Sequence, residues 1–279
     1  MIDALIQRME NFSHLDPLSR NELRAACIAH AQYFSPRQVI FSAGEQALGA
    51  YFVLSGFACR NLHLPNGKRP ITELLLPGDV FGTRAFLLKP NDHAVSSLTD
   101  LQAAFLSRTT LSRWSRRSPS LNEALWRARA LQSAIHGQWL INVGSRTAIE
   151  RLAHLFCELL VRLRAVSLAT QDACSLPLTQ TNLADATGLT PVHVNRTLAR
   201  LSRLGISTFK DNRLIVHDPA RLQEIGGFDP EYLRTPGPDP QGCLPGSIAS
   251  PQFDDRAAAL VRHPGTLNEI PPAATARRT

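Results

Sequence analysis

The stretch from Leu178 to Leu204, LTQTNLADATGLTPVHVNRTLARLSRL, constrains this chain more than any other. It reads as two short helices joined by a tight turn. Thr179 suits the N-cap of the first, since its hydroxyl can accept from a backbone N–H that a helix leaves unpaired. Gly188 can adopt the left-handed conformation that ends that helix. Thr190 then caps a second helix, and Pro191 takes its first position, where no N–H is needed. Two helices joined by a short turn containing glycine form a helix-turn-helix.

The second helix divides by face. At about 100° per residue, Val192, His193, Ala199, Arg200 and Arg203 lie near the azimuth of Arg196. Val194, Leu198 and Leu201 lie opposite. One face is core; the other carries three arginines and a histidine. Alone, such a face suits any solvated amphipathic helix. The residues that follow add to it. Ile206–Phe209 and Leu214–His217 are short β-rich runs joined by Lys210-Asp211-Asn212-Arg213. A hairpin placed directly after the second helix can act as a wing, with Lys210 and Arg213 in reach of phosphate.

Upstream, the period changes twice. Ile2, Leu5, Ile6 and Met9 form a helical stripe, and Ser19 is a candidate cap for a second helix with Leu23, Ala26 and Cys27. Residues 32–110 read as strands: Tyr33–Phe34, Val39–Phe41, Tyr51–Leu54, Phe57–Leu64, Ile71–Leu76, Val95–Leu98 and Leu101–Leu106. Turn signals separate them, with Asn66-Gly67 as a type I′ hairpin candidate. Many short strands suggest a sandwich or small barrel. From Ser118, a possible cap like Ser120, a helical stripe of Leu121, Leu125, Ala128, Leu131, Ile135 and Trp139 runs for several turns. One small barrel cannot easily bury a stripe of that length, so it is a candidate dimer seam. Gly144-Ser145 breaks it. A further helix spans 146–164, with Ile149, Leu152, Ala153, Phe156, Leu159, Leu160 and Leu163 inward.

In these motifs the sequence resembles the CRP/FNR family of transcription regulators, over roughly residues 10–225. YFVLSGFACRNLHLPNGKRPITELLLPGDVFG is similar to the family's roll core, GSRTAIERLAHLFCELLVRL to the helix entering its DNA domain, and LTQTNLADATGLTPVHVNRTLARLSRLGI to its reading motif. The resemblance implies an α+β chain: an N-terminal double-stranded β-roll of the cyclic-nucleotide-binding-like kind, a long dimerisation helix and a C-terminal winged helix-turn-helix. The expected divisions are a sensor at 1–117, a dimer helix at 118–145 with its seam on Leu121, Leu125, Ala128, Leu131 and Ile135, a DNA-binding domain at 146–225 and a disordered tail at 226–279. That tail is rich in Pro, Gly, Ala and polar residues, with too little apolar surface to offset ordering entropy; a short helix at Asp254–Val261 is the one element suggested there.

The implied partners are double-stranded DNA, a second copy of the chain and RNA polymerase. Thr179 and Thr181 match phosphate-touching positions, and Arg196 matches the arginine that reads guanine through O6 and N7. The DNA-facing set is Thr179, Thr181, Thr190, Val192, His193, Asn195, Arg196, Arg200, Lys210 and Arg213. Val192 departs from the pattern, standing where the family often carries a base-reading glutamate. Valine cannot accept from cytosine N4 but can touch a thymine methyl, so a different operator is expected.

The candidate effector pocket comprises Gly82, Thr83, Arg84 and His93. Thr83 stands where cyclic-AMP-binding relatives place a glutamate, and His93 where they place an arginine; a buried phosphate needs a fixed cationic partner. Cyclic AMP is therefore not the expected effector. Iron–sulfur sensing is not expected either, because the N-terminal cysteine cluster is missing. Haem stays open: His14, His30, His63, His93, His136 and His154 are chemically able to ligate iron, although a lone histidine more often serves packing. No effector is assigned.

Composition bounds the alternatives. The formal charge of +7 favours polyanionic partners but says nothing of fold. Cys27, Cys59, Cys157, Cys174 and Cys243 are scattered, which excludes C-x-x-C zinc or redox motifs and suits a reducing compartment. The opening MIDALIQRMENF has acids and no long apolar run, so neither a signal peptide nor a membrane helix is expected. The expected location is cytoplasmic. A cupin-type metalloenzyme would need a close H-x-H pair, and no G-x-S-x-G, P-loop or H-E-x-x-H occurs. The expectation is no enzyme, no catalytic residue and no metal ligand. A ligand-binding roll that controls another protein is the remaining alternative, and the wing argues against it.

Overall fold

The computed structural model describes residues 2–46, 48–83 and 90–234. Arg84, Cys243 and the suggested helix at Asp254–Val261 lie outside them. Helices α1 (Asp3–Phe12) and α2 (Pro17–Ala29) come first. Asp16, not Ser19, caps α2: its carboxylate accepts from Ser19 N at 2.9 Å and also takes the Ser19 hydroxyl. A carboxylate beside Pro17 satisfies the helix dipole better than a hydroxyl two residues inside the helix.

Eight strands follow: β1 (Ala31–Phe34), β2 (Val39–Phe41), β3 (Gly49–Ser55), β4 (Ala58–Asn61), β5 (Ile71–Leu75), β6 (Val80–Phe81), β7 (Ala94–Ser97) and β8 (Leu101–Ser107). They make two four-stranded antiparallel sheets, ordered β1-β8-β3-β6 and β2-β7-β4-β5. The inner faces enclose Val53, Ala58, Leu75, Phe81, Val95, Leu101 and Ala103, while the alternate residues Phe52, Leu54, Ala104 and Leu106 join the core shared with the helices. Gly49 lets β3 and β8 close up, because a Cβ there would stand 2.2 Å from Leu106 O.

Two expectations for the roll change. Strand β4 ends at Asn61 rather than Leu64, because the next residues form a wide loop closed by Leu64 N donating to Lys68 O. Asn66-Gly67 is also not a type I′ pair: only Gly67 has positive φ, at 78°, and Asn66 Oδ1 instead accepts from Lys68 N.

Helix α3 (Arg108–Arg117) leads into α4 (Pro119–Ser145), capped by Ser118. At 27 residues, α4 is about 40 Å long. The stripe expected as its seam is largely taken up within the chain. Leu121, Leu131 and Ile135 are buried within this one chain, at 1%, 9% and 3% exposure, and Leu125 and Ala128 are half-buried against the same core. That stripe packs on the chain's own neighbours, α1 and the roll among them, and has little surface left for a partner. The opposite face is exposed and carries Trp126, Ala130, Ser133, Gly137, Leu140 and Gly144, in alternating steps of four and three. The helix is apolar on two sides, and sequence periodicity registered only the broader one.

Helix α5 (Ala148–Arg164) begins with a capping box of Thr147 and Glu150. After it come β9 (Ala173–Ser175), α6 (Gln180–Thr187), α7 (Pro191–Arg203), β10 (Ser207–Lys210), β11 (Arg213–Val216) and α8 (Pro219–Gly226). The three strands form one antiparallel sheet, β10-β11-β9. The expected tail from 226 is corrected in part: residues 226–234 pack on α5, with Phe228 buried and a 3-10 turn at Pro230–Leu233. Phe228 and Tyr232 supply an aromatic anchor that composition averaged over the tail conceals.

Two buried ionic groups join the layers. At the roll–α4 contact, Glu73 on β5 is 2% exposed, with Arg60 Nε at 3.1 Å, His136 Nε2 at 3.5 Å and the Gln132 amide bonded to it. Burial opposes the charge of Glu73, but His136 and Arg60 hold its carboxyl below the usual range. Asp79, in the turn before β6, accepts from Arg8 at 3.3 Å and from Arg162 of α5 at 2.6 Å. Arg162 also donates to Leu74 O and Glu158. The described cysteines are all free and buried, Cys27 and Cys59 in the first half and Cys157 and Cys174 in the second. No described helix is long and apolar enough to cross a membrane.

Candidate nucleic-acid interface

Local chemistry fixes α6 and α7 before any DNA is present. Thr179 caps α6 in a reciprocal box: its Oγ1 accepts from Asn182 N at 3.1 Å, and Asn182 Oδ1 accepts from Thr179 N at 2.9 Å. Gly188 ends α6 at φ 67°, and Thr190 caps α7 by accepting from His193 N at 3.2 Å. Helix α5 holds the motif from behind. Arg151 Nη1 donates to Thr187 O at 2.9 Å, at the end of α6, and Nε donates to Arg146 O at 2.8 Å.

The division of α7 follows the sequence. Val194, Thr197 and Leu201 are buried and Leu198 is half-buried, while Val192, His193, Asn195, Arg196, Arg200 and Arg203 are exposed. Thr197 enters the core because its hydroxyl donates to His193 O at 2.8 Å. No ion pair engages Arg196, Arg200, Arg203, Lys210 or Arg213 among the described residues. These cations are open to an external anion. Val192 is 70% exposed, an apolar side chain standing free on a reading face.

Two placements refine the expected set. The Thr179 hydroxyl donates to Asn182 Oδ1 at 2.8 Å, so its proton is committed inside the cap. Thr181 is exposed on the same first turn and Thr190 Oγ1 only accepts, which leaves these two hydroxyls free to donate. Gln180, which sequence reading passed over, accepts from Asn195 Nδ2 at 3.3 Å and so joins the reading face. The link spans two helices and has no local pattern. At the wing, Asp211 and Asn212 have φ of 51° and 57°, a type I′ turn that sets Lys210 opposite Arg213 at the tip.

The candidate effector residues are less gathered. Gly82 is buried with φ 78°, Thr83 is half-buried, and His93 Nδ1 lies 2.9 Å from Asp92 Oδ1. Of the histidines able to ligate haem, His14, His30 and His63 are exposed. His136 faces Glu73, and His154 is buried between Gly226 O at 3.2 Å and the Tyr232 hydroxyl at 3.3 Å.

Comparison with known proteins completes the assignment. Residues 31–118 match the cyclic nucleotide-binding domain profile, and residues 150–225 match the Crp-like helix-turn-helix domain profile. The chain belongs to the CRP/FNR family of transcription regulators. It is a DNA-binding transcription regulator of that type. The transcriptional activator protein FnrL of Cereibacter sphaeroides is 27% identical over 206 residues, covering 72% of this chain and 82% of that one. The nitrogen fixation regulation protein FixK of Bradyrhizobium diazoefficiens is 25% identical over 223 residues, covering 80% and 92%. The solved structure of FixK2 from Bradyrhizobium japonicum shares the fold at TM-score 0.64 and 24% identity, across 71% of this chain and 98% of that one.

Proposed function

We propose that this regulator binds a pseudo-palindromic operator as a homodimer whose seam is the exposed face of α4: Trp126, Ala130, Ser133, Gly137 and Leu140. The observation that carries the reading is the unpaired cationic face of α7 beside an unpaired basic wing tip. Small residues at three of the seam positions let two helices approach closely, and a Cβ added at Gly137 would meet nothing of this chain. Two-fold symmetry then presents one α7 per half-site, with half-sites about one helical turn apart. Arg196 reads guanine, Val192 meets a thymine methyl, and Asn195, His193 and Arg200 border them. Thr181, Thr190, Lys210 and Arg213 hold phosphate, with Thr179 shaping the helix start through its backbone.

Control does not run through cyclic AMP in this reading. Thr83 offers no carboxylate for the ribose, and His93 is engaged by Asp92 rather than supplying a fixed cation to a phosphate. The site is one of recognition rather than catalysis, the location cytoplasmic, and RNA polymerase the protein partner. Selection of bound sequences from a random duplex pool, followed by footprinting, tests the reading. An inverted repeat with a guanine in each half is the expected product; an asymmetric motif or none refutes the symmetric dimer.

A further inference from the structure

The matched helix-turn-helix domain ends at residue 225, yet residues 226–234 continue in contact with the fold. They lie at one place, the elbow between α4 and α5. That elbow is short: α4 ends at Ser145 and α5 begins at Ala148. Its angle matters because α4 carries the seam, and α5 grips the reading motif through Arg151.

Residues 226–233 touch both arms. Gly226 packs on the α5 backbone, where a Cβ would stand 2.7 Å from His154 N. Arg146, in the elbow itself, donates to Gly227 O at 3.3 Å. Phe228 sets its ring edge against His154 at 5.2 Å, and Tyr232 stacks on His154 at 6.1 Å. The Tyr232 hydroxyl donates to Glu158 Oε2 at 3.1 Å. Glu158 is fully buried on α5 and also accepts from Trp139 Nε1 of α4, at 3.1 and 3.2 Å. One carboxylate thus joins the seam helix, the DNA-domain helix and the segment beyond the wing. Burial and the charge of Glu158 push the Tyr232 phenol far above its usual range, which keeps it a donor.

We infer that residues 226–233 are a strap that fixes the α4–α5 elbow, and that Tyr232 is a positioning residue for DNA reading through Glu158. The inference rests on the proposed dimer bound to a pseudo-palindrome. A fixed elbow sets the distance and rotation between the two copies of α7. The strap therefore governs which half-site spacing is accepted, and leaves the bases read inside each half-site alone. A rotation at the elbow is carried to α7, because α7 packs on α5.

The test uses the full chain and three operators with identical half-sites: the selected spacing, one base pair more and one base pair fewer. The readout is the affinity ratio between the selected and altered spacings. A ratio taken on one preparation is independent of the fraction folded. Wild type discriminates against both altered spacings. Tyr232→Phe keeps the ring and removes the hydroxyl, and it lowers that discrimination about tenfold, as expected for losing a hydrogen bond to a buried carboxylate. Gly226→Val, which forces the strap off the α5 backbone, lowers it further. Single-base preferences inside the half-site stay at wild-type values in both variants. If wild type discriminates and both variants keep its ratio, or if the base preferences shift instead, the strap inference is wrong. If wild type ignores spacing, the dimeric-operator reading falls and the strap with it.

Discussion

Replacing Leu140 with Asp separates the two faces of α4. Leu140 is 74% exposed in the single chain, so the substitution removes little from the protomer's own core. In the dimer each copy loses the burial of a leucine, worth about 2 kcal/mol. Symmetry doubles this to about 4 kcal/mol. At 1.4 kcal/mol per decade, the dissociation constant rises about a thousandfold. Two aspartates facing across the axis add repulsion to that figure. Leu131→Ala is the control. It opens a cavity inside one protomer and costs about 2–5 kcal/mol of stability, with the dimer kept wherever the chain stays folded. Sedimentation velocity across nanomolar to micromolar concentrations, paired with thermal unfolding, reads both quantities. The expected outcome is folded Leu140→Asp monomers and less stable Leu131→Ala dimers. A dimeric Leu140→Asp beside a monomeric, equally stable Leu131→Ala would return the seam to the stripe first suggested by periodicity.

Arg196→Ala should cost about 1–3 kcal/mol per half-site and relax preference at one base pair; equal weakening on every single-base variant would make Arg196 a phosphate anchor. Arg213→Ala should weaken all sequences alike and lower the salt slope by about one unit, an assignment undone if the slope is unchanged. Calorimetry with cyclic AMP should show no micromolar binding, and a saturable micromolar isotherm would overturn the account of Thr83 and His93. Burial and then Arg146 depress the His154 pKa from 6.5 to about 4. The imidazole is neutral in the fold, and the unfolded chain takes up the proton first. Stability from this group is full above about pH 6.5 and falls by about 3 kcal/mol as pH drops towards 4. His154→Gln should flatten that part of the denaturation profile, and an unaltered pH slope would show that folding leaves the proton affinity of this imidazole unchanged.

The DNA-reading half was more legible than the rest because its signals are local. A cap at Thr190, proline at 191, glycine at 188 and a two-faced helix each act within a few residues, and the structure places them accordingly. The wing was legible in two of its strands. The third, β9, has three residues and exists because Ala173–Ser175 pair with β11, far along the chain. Strand β6 escaped for the same reason: Val80–Phe81 is too short for a pattern and is fixed by Tyr51 and Phe52 of β3. The proposed seam was not legible because two apolar faces compete for one helix. Leu121, Leu131 and Ile135 make the stronger stripe, but which stripe the chain itself uses depends on where α1 and the roll sit. The strap was hidden by its neighbours, because Phe228 and Tyr232 are two aromatics ahead of a polar, proline-rich run.

The four described thiols are shielded from oxidants by the fold. Burial raises Cys27 and Cys157 to about 12 and Cys174 to about 11, and raises Cys59 as well. At neutral pH a thiol with a pKa of about 12 is thiolate in about one molecule in a hundred thousand, one with a pKa of about 11 in about one in ten thousand, and the thiolate is the reactive species. Chemistry at these sulfurs therefore waits for the surrounding structure to open, and its rate is set by the opening equilibrium rather than by the reagent. The pairs are divided between the two halves, with Cys27 and Cys59 in the roll region and Cys157 and Cys174 around α5. Each pair thus acts as a clock on the breathing of its own half, and the two clocks run together only if the halves open as one cooperative unit.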